Sequence, residues 1–124
     1  MKEGNITYEK SYAFALKIVR LYQYLKAERK EFDLARQLLR CGTSIGANVA
    51  EANGAISNAE FSAKIGIAYK ECLETRYWLS LLKDADYLTG EQYEVLRKDA
   101  EEISKILFAI LRKTRIANEN KEQR

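Results

Sequence analysis

The stretch that decides the fold covers residues 36–54 and reads RQLLRCGTSIGANVAEANG. Its apolar residues recur at the spacing of an α-helix, yet it contains Gly42 and Gly46, and a glycine inside a helix costs about 1 kcal/mol relative to alanine. Such a helix depends on tertiary packing to remain formed. We therefore expect a neighbouring helix to pack closely along these glycines, with the large side chain of Trp78 as a candidate contact.

The composition predicts one helical domain. The chain has 124 residues, of which 47% are hydrophobic and 31% charged, and it contains no proline. This length is that of a single domain, residues 1–124, and the absence of proline leaves each helix free to be long. The first residues lack an apolar run and no window is apolar enough for a membrane span, so we expect a cytoplasmic protein.

The residue types present exclude several kinds of active site. The sequence contains no histidine, which excludes a histidine general base, a Ser-His-Asp triad and the Glu-x-x-His pairs of di-iron bundles. Cys41 and Cys72 fall on apolar helical positions, where we expect small buried side chains. Glu51, Glu71 and Glu74 lie near one face, but carboxylates in this pattern do not indicate a metal site. We expect a protein that is not an enzyme and needs no cofactor or metal.

Four amphipathic segments separated by short breaks predict four helices. Capping boxes mark the starts of two of them, at 57–60 and 89–92, and Ile56 is expected to clasp Phe61 as a hydrophobic staple. Asp33 is the expected N-cap of another. Apolar seams at heptad spacing favour an all-α fold, an antiparallel up-down-up-down four-helix bundle. The expected helices cover residues 6–30, 34–53, 58–84 and 90–116, with a frayed tail over 117–124.

The net charge of +3 is unevenly distributed, since residues 1–30 hold seven basic and three acidic residues. Tyrosines are interleaved with these basic residues, a pattern that fits base stacking over a phosphate-binding surface. The alternative, the edge of a core together with an oligomer seam, is the more common use of tyrosine in such a pattern. The candidate nucleic-acid contacts are the basic residues of the first helix and of the end of the fourth: Lys10, Lys17, Arg20, Lys26, Arg112, Lys113 and Arg115.

Asn48 lies on or beside the buried face of the second helix, four residues after Ser44. An unpaired buried amide costs about 1 to 3 kcal/mol. One interpretation is therefore a buried polar network that joins this helix to the third, with Glu71, Glu74 or Thr75 as the partner. The other is that Asn48 reaches solvent at the edge of the bundle.

The segment LLRCGTSIGANVAEA at residues 38–52, followed by SNAEF at 57–61 and IAYKECLETRYWL at 67–79, resembles the family of 23S ribosomal RNA intervening-sequence proteins. The resemblance covers most of residues 7–115. It implies a small bacterial protein that forms an antiparallel bundle and assembles into a ring, commonly a pentamer. That family is similar in turn to the accessory variability protein of diversity-generating retroelements, a basic pentameric barrel that binds nucleic acid and a reverse transcriptase.

These observations lead to two functional hypotheses. The first is a non-enzymatic homo-oligomer that binds RNA or DNA through the basic residues named above. The second is a structural or adaptor oligomer that binds a protein partner, such as a reverse transcriptase, without nucleic acid.

Overall fold

A computed structural model describes the backbone of residues 2–122 and the side chains of residues 6–114. It contains four helices, α1 (Lys2–Ala27), α2 (Asp33–Asn53), α3 (Asn58–Asp84) and α4 (Gly90–Glu122). Each helix packs against the next along the chain, and α4 also contacts α1, which closes the bundle. The predicted all-α four-helix bundle is confirmed. None of the helices in the described part of the chain is long and apolar enough to cross a membrane.

The core consists of one apolar stripe from each helix, at the spacing that the sequence predicts. On α1 the stripe is flanked by small or polar buried residues, and on α3 it follows the heptad seam almost without exception. The large side chains with almost no exposed surface are Phe14, Ile18, Leu25, Leu38, Ile45, Val49, Ile65, Leu79, Leu82 and Leu107.

The two glycines of α2 allow a close approach of α1. A Cβ atom added at Gly42 would lie 2.9 Å from both Cγ atoms of Ile18, whereas one added at Gly46 would lie 3.5 Å from the carbonyl group of Ser11. Close packing along these glycines is therefore present. The expected contact with Trp78 on α3 is wrong, because the helix that approaches both glycines is α1.

The N-terminus of α2 is capped differently from the prediction. Asp33 is the first residue of the helix, and the residue before it, Phe32, makes no side-chain cap. Instead the carboxylate of Glu31 accepts hydrogen bonds from the N–H groups of Leu34 (3.2 Å) and Ala35 (2.9 Å). The prediction of Asp33 as N-cap is wrong because the longer Glu31 side chain already satisfies these first-turn donors.

At the start of α3, the predicted cap by Ser57 is present and the predicted hydrophobic staple is not. The N–H of Glu60 donates to Ser57 Oγ at 3.1 Å, while the Glu60 carboxylate accepts from the N–H of Ile56 at 3.2 Å. The hydrophobic staple is wrong, because Ile56 is 95% exposed and does not clasp Phe61. The turn of the chain before Ser57 carries the Ile56 side chain into solvent.

The α3–α4 connection follows the predicted capping box in full. The N–H of Thr89 donates to Gln92 Oε1 at 2.9 Å, and the N–H of Gln92 donates to Thr89 Oγ1 at 3.1 Å. The preceding helix ends in a Schellman motif, in which Asp86 has a φ of 67° and the N–H of Tyr87 donates to the carbonyl of Leu82.

Helix α1 begins at Lys2, before the predicted residue 6, and the C-terminal ends of two helices also differ from the prediction. Helix α1 ends at Ala27, before the predicted 30, and Lys30 adopts a left-handed conformation with a φ of 53° that turns the chain towards α2. Helix α4 continues to Glu122, past the predicted end near residue 116, since good helix formers follow and no glycine or proline interrupts them. Residues 123–124 of the predicted tail lie outside the described range.

Candidate nucleic-acid interface and docking face

Two of the candidate nucleic-acid contacts are engaged within the bundle. Lys10 Nζ lies 2.5 Å from Glu102 Oε1, and Lys17 Nζ donates to Asp99 Oδ2 at 2.7 Å. The hydrogen bond that Lys10 donates to the Glu102 carboxylate raises the pKa of Lys10. Both lysines therefore join α1 to α4, and their charges are already balanced before any phosphate approaches.

The other basic candidates are dispersed over the molecule. Arg20 is exposed and has no partner among the side chains that the structure describes. Arg112 and Lys113 are exposed near the end of α4, which lies beside the start of α1, at the opposite end of the bundle from Lys26. The side chain of Arg115 lies outside the described residues. The structure thus does not bring the predicted set together as one surface.

A basic and aromatic groove lies where α1 meets α2. It encloses about 390 Å³, and we call it the corner groove; its lining is Tyr22, Gln23, Lys26, Ala27, Lys30 and Phe32. Lys26 Nζ lies 5.0 Å above the ring of Tyr22, and the Phe32 side chain is 47% exposed. No carboxylate is among the described residues that line the groove.

Neither lysine of the corner groove forms an ion pair with a described side chain. Three carboxylates flank these lysines in the sequence, Glu28, Glu31 and Asp33, and that of Glu31 is bound to backbone N–H groups of α2. Arg29 is held elsewhere, with Nη1 donating to the carbonyl of Tyr87 at 3.1 Å and its guanidinium 5.2 Å from the Tyr87 ring. The sequence analysis named Lys26 as a candidate contact but did not name Lys30 or Phe32. Both lie in the short break between the first two helices, and this position was the signal in the sequence that could have identified them.

A polar link between α2 and α3 exists, and the residue of α2 that forms it is Arg40. Arg40 Nη1 donates to Glu71 Oε2 at 3.3 Å, and the same guanidinium pairs with Glu74. Trp78 Nε1 also donates to Glu74 Oε2, at 3.0 Å. These contacts lie at the edge of the bundle, where they contribute orientation more than stability.

The predicted network around Asn48 is wrong in its partners. Asn48 Nδ2 donates to the carbonyl of Ser44 on its own helix at 2.8 Å, and Thr75 Oγ1 donates to the carbonyl of Glu71 on its own helix at 2.7 Å. Short polar side chains in a helix reach the carbonyl oxygen one turn earlier in the same helix more easily than they reach an acceptor on a neighbouring helix. The half-buried Asn48 therefore belongs to the edge of the bundle.

The two cysteine side chains lie in the interior of the bundle. Cys41 and Cys72 are free and buried. Burial raises the pKa of both thiols, that of Cys72 to about 12, so neither is available as a thiolate. Among the described residues, no three side chains of the types that ligate metals come together.

Helix α3 carries apolar side chains on its outer side as well as in the core. Four of them are exposed on the side away from the buried seam, and we call them the docking face: Ile67, Leu73, Tyr77 and Leu81. Tyr77, at 60% exposed, packs edge-on against Trp78 with ring centroids 5.0 Å apart. A second exposed set, Tyr8, Tyr12 and Leu16, follows the outer side of α1.

Comparison with known proteins agrees with the fold. The model of the 23S rRNA-intervening sequence protein family matches residues 3–109. The chain also resembles the crystal structure of a protein of unknown function from the S23 ribosomal protein family of Bacteroides thetaiotaomicron, with 49% identity, a TM-score of 0.87 and coverage of 89% of this chain and 98% of that chain. A search of curated proteins found no match. The chain therefore belongs to the family of 23S rRNA-intervening sequence proteins, as the segments at 38–52, 57–61 and 67–79 indicated.

Proposed function

We propose that this protein is a non-enzymatic helical bundle that self-associates through the docking face of α3 and presents a nucleic-acid-binding surface on the resulting oligomer. The observation that carries the proposal is the exposure of four large apolar side chains on one helix. A helix of a bundle normally carries polar residues on the side away from the core. Within one chain, α3 is covered on its seam alone.

The chemistry of the docking face favours a protein surface as its cover. Tyr77 and Trp78 are of the aromatic types enriched at the centre of interfaces. Arg76, which lies beside the docking face, donates to Ser104 Oγ at 3.4 Å and offers further N–H groups to an acidic group. A second copy of the chain is the cover that the family resemblance implies, in a ring that is commonly a pentamer.

Light scattering coupled to gel filtration tests the self-association. We expect the wild-type protein to have the mass of several chains and Tyr77→Glu to have the mass of one, because a carboxylate would be buried without a partner. Val95→Glu is the matched control, since Val95 is an exposed apolar residue of α4 outside the docking face. A wild-type monomer overturns the proposal, provided that circular dichroism shows all three proteins folded.

Nucleic-acid binding is supported by the corner groove, where two lysines and two aromatic rings meet without a lining carboxylate. Electrostatic attraction to phosphates depends on charges that are not already paired. Lys26 and Lys30 meet this condition better than Lys10 and Lys17, whose Nζ atoms contact carboxylates of α4.

A gel-shift titration with structured RNA at low and at physiological salt tests this part of the proposal. We expect binding at low salt that weakens as salt rises, and Lys26→Gln to bind more weakly than Lys98→Gln, which removes an exposed lysine of α4. Absence of binding at low salt would leave the adaptor oligomer, with a protein partner and no nucleic acid, as the function of the bundle.

A further inference from the structure

We infer that the corner groove is a site for single-stranded nucleic acid, in which an unpaired base stacks on Phe32 while Lys26 and Lys30 contact the phosphates. This inference rests on the proposed nucleic-acid binding and names the form of the ligand. It follows from the kinds of side chain that line the groove and from the way the chain holds them.

The aromatic side of the groove is open to a ligand. Phe32 is 47% exposed and contacts no other aromatic ring among the described side chains. Its backbone is fixed by the start of α2, because its carbonyl accepts from the N–H of Arg36 at 3.1 Å. The ring is thus exposed on a rigid element, which is the arrangement of a stacking platform.

The cationic side of the groove is held by an unusual backbone conformation. Lys30 has a φ of 53°, a left-handed conformation that is uncommon for residues other than glycine, asparagine and aspartate. Here it ends α1, since the N–H of Glu31 donates to the carbonyl of Leu25 at 3.0 Å, and it places Lys30 between the two helices beside the groove. Lys26 lies in the last turn of α1, four residues before Lys30, and both side chains line the same groove.

These features fit a single strand better than a duplex. In a duplex the base faces are stacked on one another, so the lysines would meet phosphates but Phe32 would have no partner. A strand with unpaired bases uses both sides of the groove. Gln23, which also lines it, offers an amide to a base edge. An acidic peptide would use the lysines alone, which makes it a competitor that can be tested.

Fluorescence anisotropy with a labelled oligothymidylate and with a duplex of the same length tests the inference on the intact protein. We expect tighter binding of the single strand. Phe32→Leu should weaken single-strand binding by about 5- to 100-fold, as the loss of one stacked base does, and leave duplex binding unchanged. Phe108→Leu is the matched control, since Phe108 is equally exposed, at 47%, on another part of the molecule.

The charge contribution is measured separately. Replacement of both lysines, Lys26→Gln with Lys30→Gln, should reduce the slope of log K against log salt for the single strand by about 1.4. The single-strand inference is overturned if the single strand and the duplex bind equally and Phe32→Leu has no effect. It is also overturned if polyglutamate displaces the labelled single strand as well as unlabelled oligothymidylate does. Nucleic-acid binding itself stands in the first of these cases. Failure of both ligands to bind at low salt overturns the proposed nucleic-acid binding as well.

Discussion

Gly42→Ala should destabilise the protein even though alanine is the better helix former. The added Cβ would lie 2.9 Å from both Cγ atoms of Ile18 and 3.3 Å from its Cβ. Because Ile18 is fully buried and branched at Cβ, it has no space into which to turn. Overpacking of this kind costs about 1 to 3 kcal/mol, whereas the helix gains about 1 kcal/mol from the substitution. The net effect is a loss of up to about 2 kcal/mol.

Gly46→Ala is the matched control, one turn further along the same buried side of α2. Its added Cβ would lie 3.5 Å from the carbonyl carbon and oxygen of Ser11 and 3.6 Å from its Cβ, which is ordinary van der Waals contact. The same gain in helix propensity, about 1 kcal/mol, is then expected without the overpacking. Since propensity is common to both variants, the difference between them, about 1 to 3 kcal/mol, measures the contact with Ile18.

Urea unfolding followed by circular dichroism, at one protein concentration for all variants, gives the two free energies. The double mutant Gly42→Ala with Ile18→Ala isolates the contact, since the Cγ atoms that the new methyl group meets are gone. In the Ile18→Ala background, Gly42→Ala should be stabilising. If Gly42→Ala and Gly46→Ala stabilise the wild-type chain equally, the close contact of α1 with Gly42 is not present in solution and the reasoning fails.

Thr89→Ala should lower the free energy of unfolding by about 1 kcal/mol in urea denaturation, since it removes the side-chain acceptor of the α4 cap; an unchanged midpoint would contradict the capping box. Cys41 and Cys72 should react with a thiol reagent at about pH 8 only after unfolding, because burial raises the pKa of both. Glu94 should titrate below the ordinary glutamate range by NMR, since hydrogen bonding from Arg97 lowers its pKa. The ion pair of Glu94 with Arg97 therefore stabilises the fold at pH values above the ordinary glutamate pKa, and this contribution is lost as pH falls through the lowered pKa of Glu94. Arg97→Gln should return the pKa of Glu94 to its ordinary value.

The fold could be predicted because its determinants are local. The seam of α3 follows a heptad period that is visible in the sequence, and the mutual hydrogen bonds of Thr89 and Gln92 were expected from their spacing. The close approach at Gly42 was also predicted, since two glycines in an apolar helix need a packing partner. Which helix provides that partner depends on the three-dimensional arrangement, and Trp78 was the wrong choice.

The candidate site could be predicted less well because charges act between helices. The pairing of Lys10 with Glu102, and of Lys17 with Asp99, joins residues from opposite ends of the chain. A single helix pattern shows that a lysine is at the surface but not which acid of a neighbouring helix it faces. The corner groove was missed for a different reason, since Phe32 was assigned to a loop whose geometry the sequence does not specify.

The docking face and the corner groove involve different side chains, so the proposed assembly and the proposed nucleic-acid binding can be separated by mutation. Each chain contributes one small groove, and several grooves on one oligomer would bind a long strand together, with the first contact raising the effective concentration for the next. Tyr77→Glu should therefore weaken binding of a long single strand by at least about tenfold, without change for an oligonucleotide that spans one groove. Phe32→Leu should weaken both and leave the mass of the oligomer unchanged. If Tyr77→Glu weakens the short and the long strand equally, the docking face itself contacts nucleic acid, and the division of roles between α3 and the corner groove is wrong.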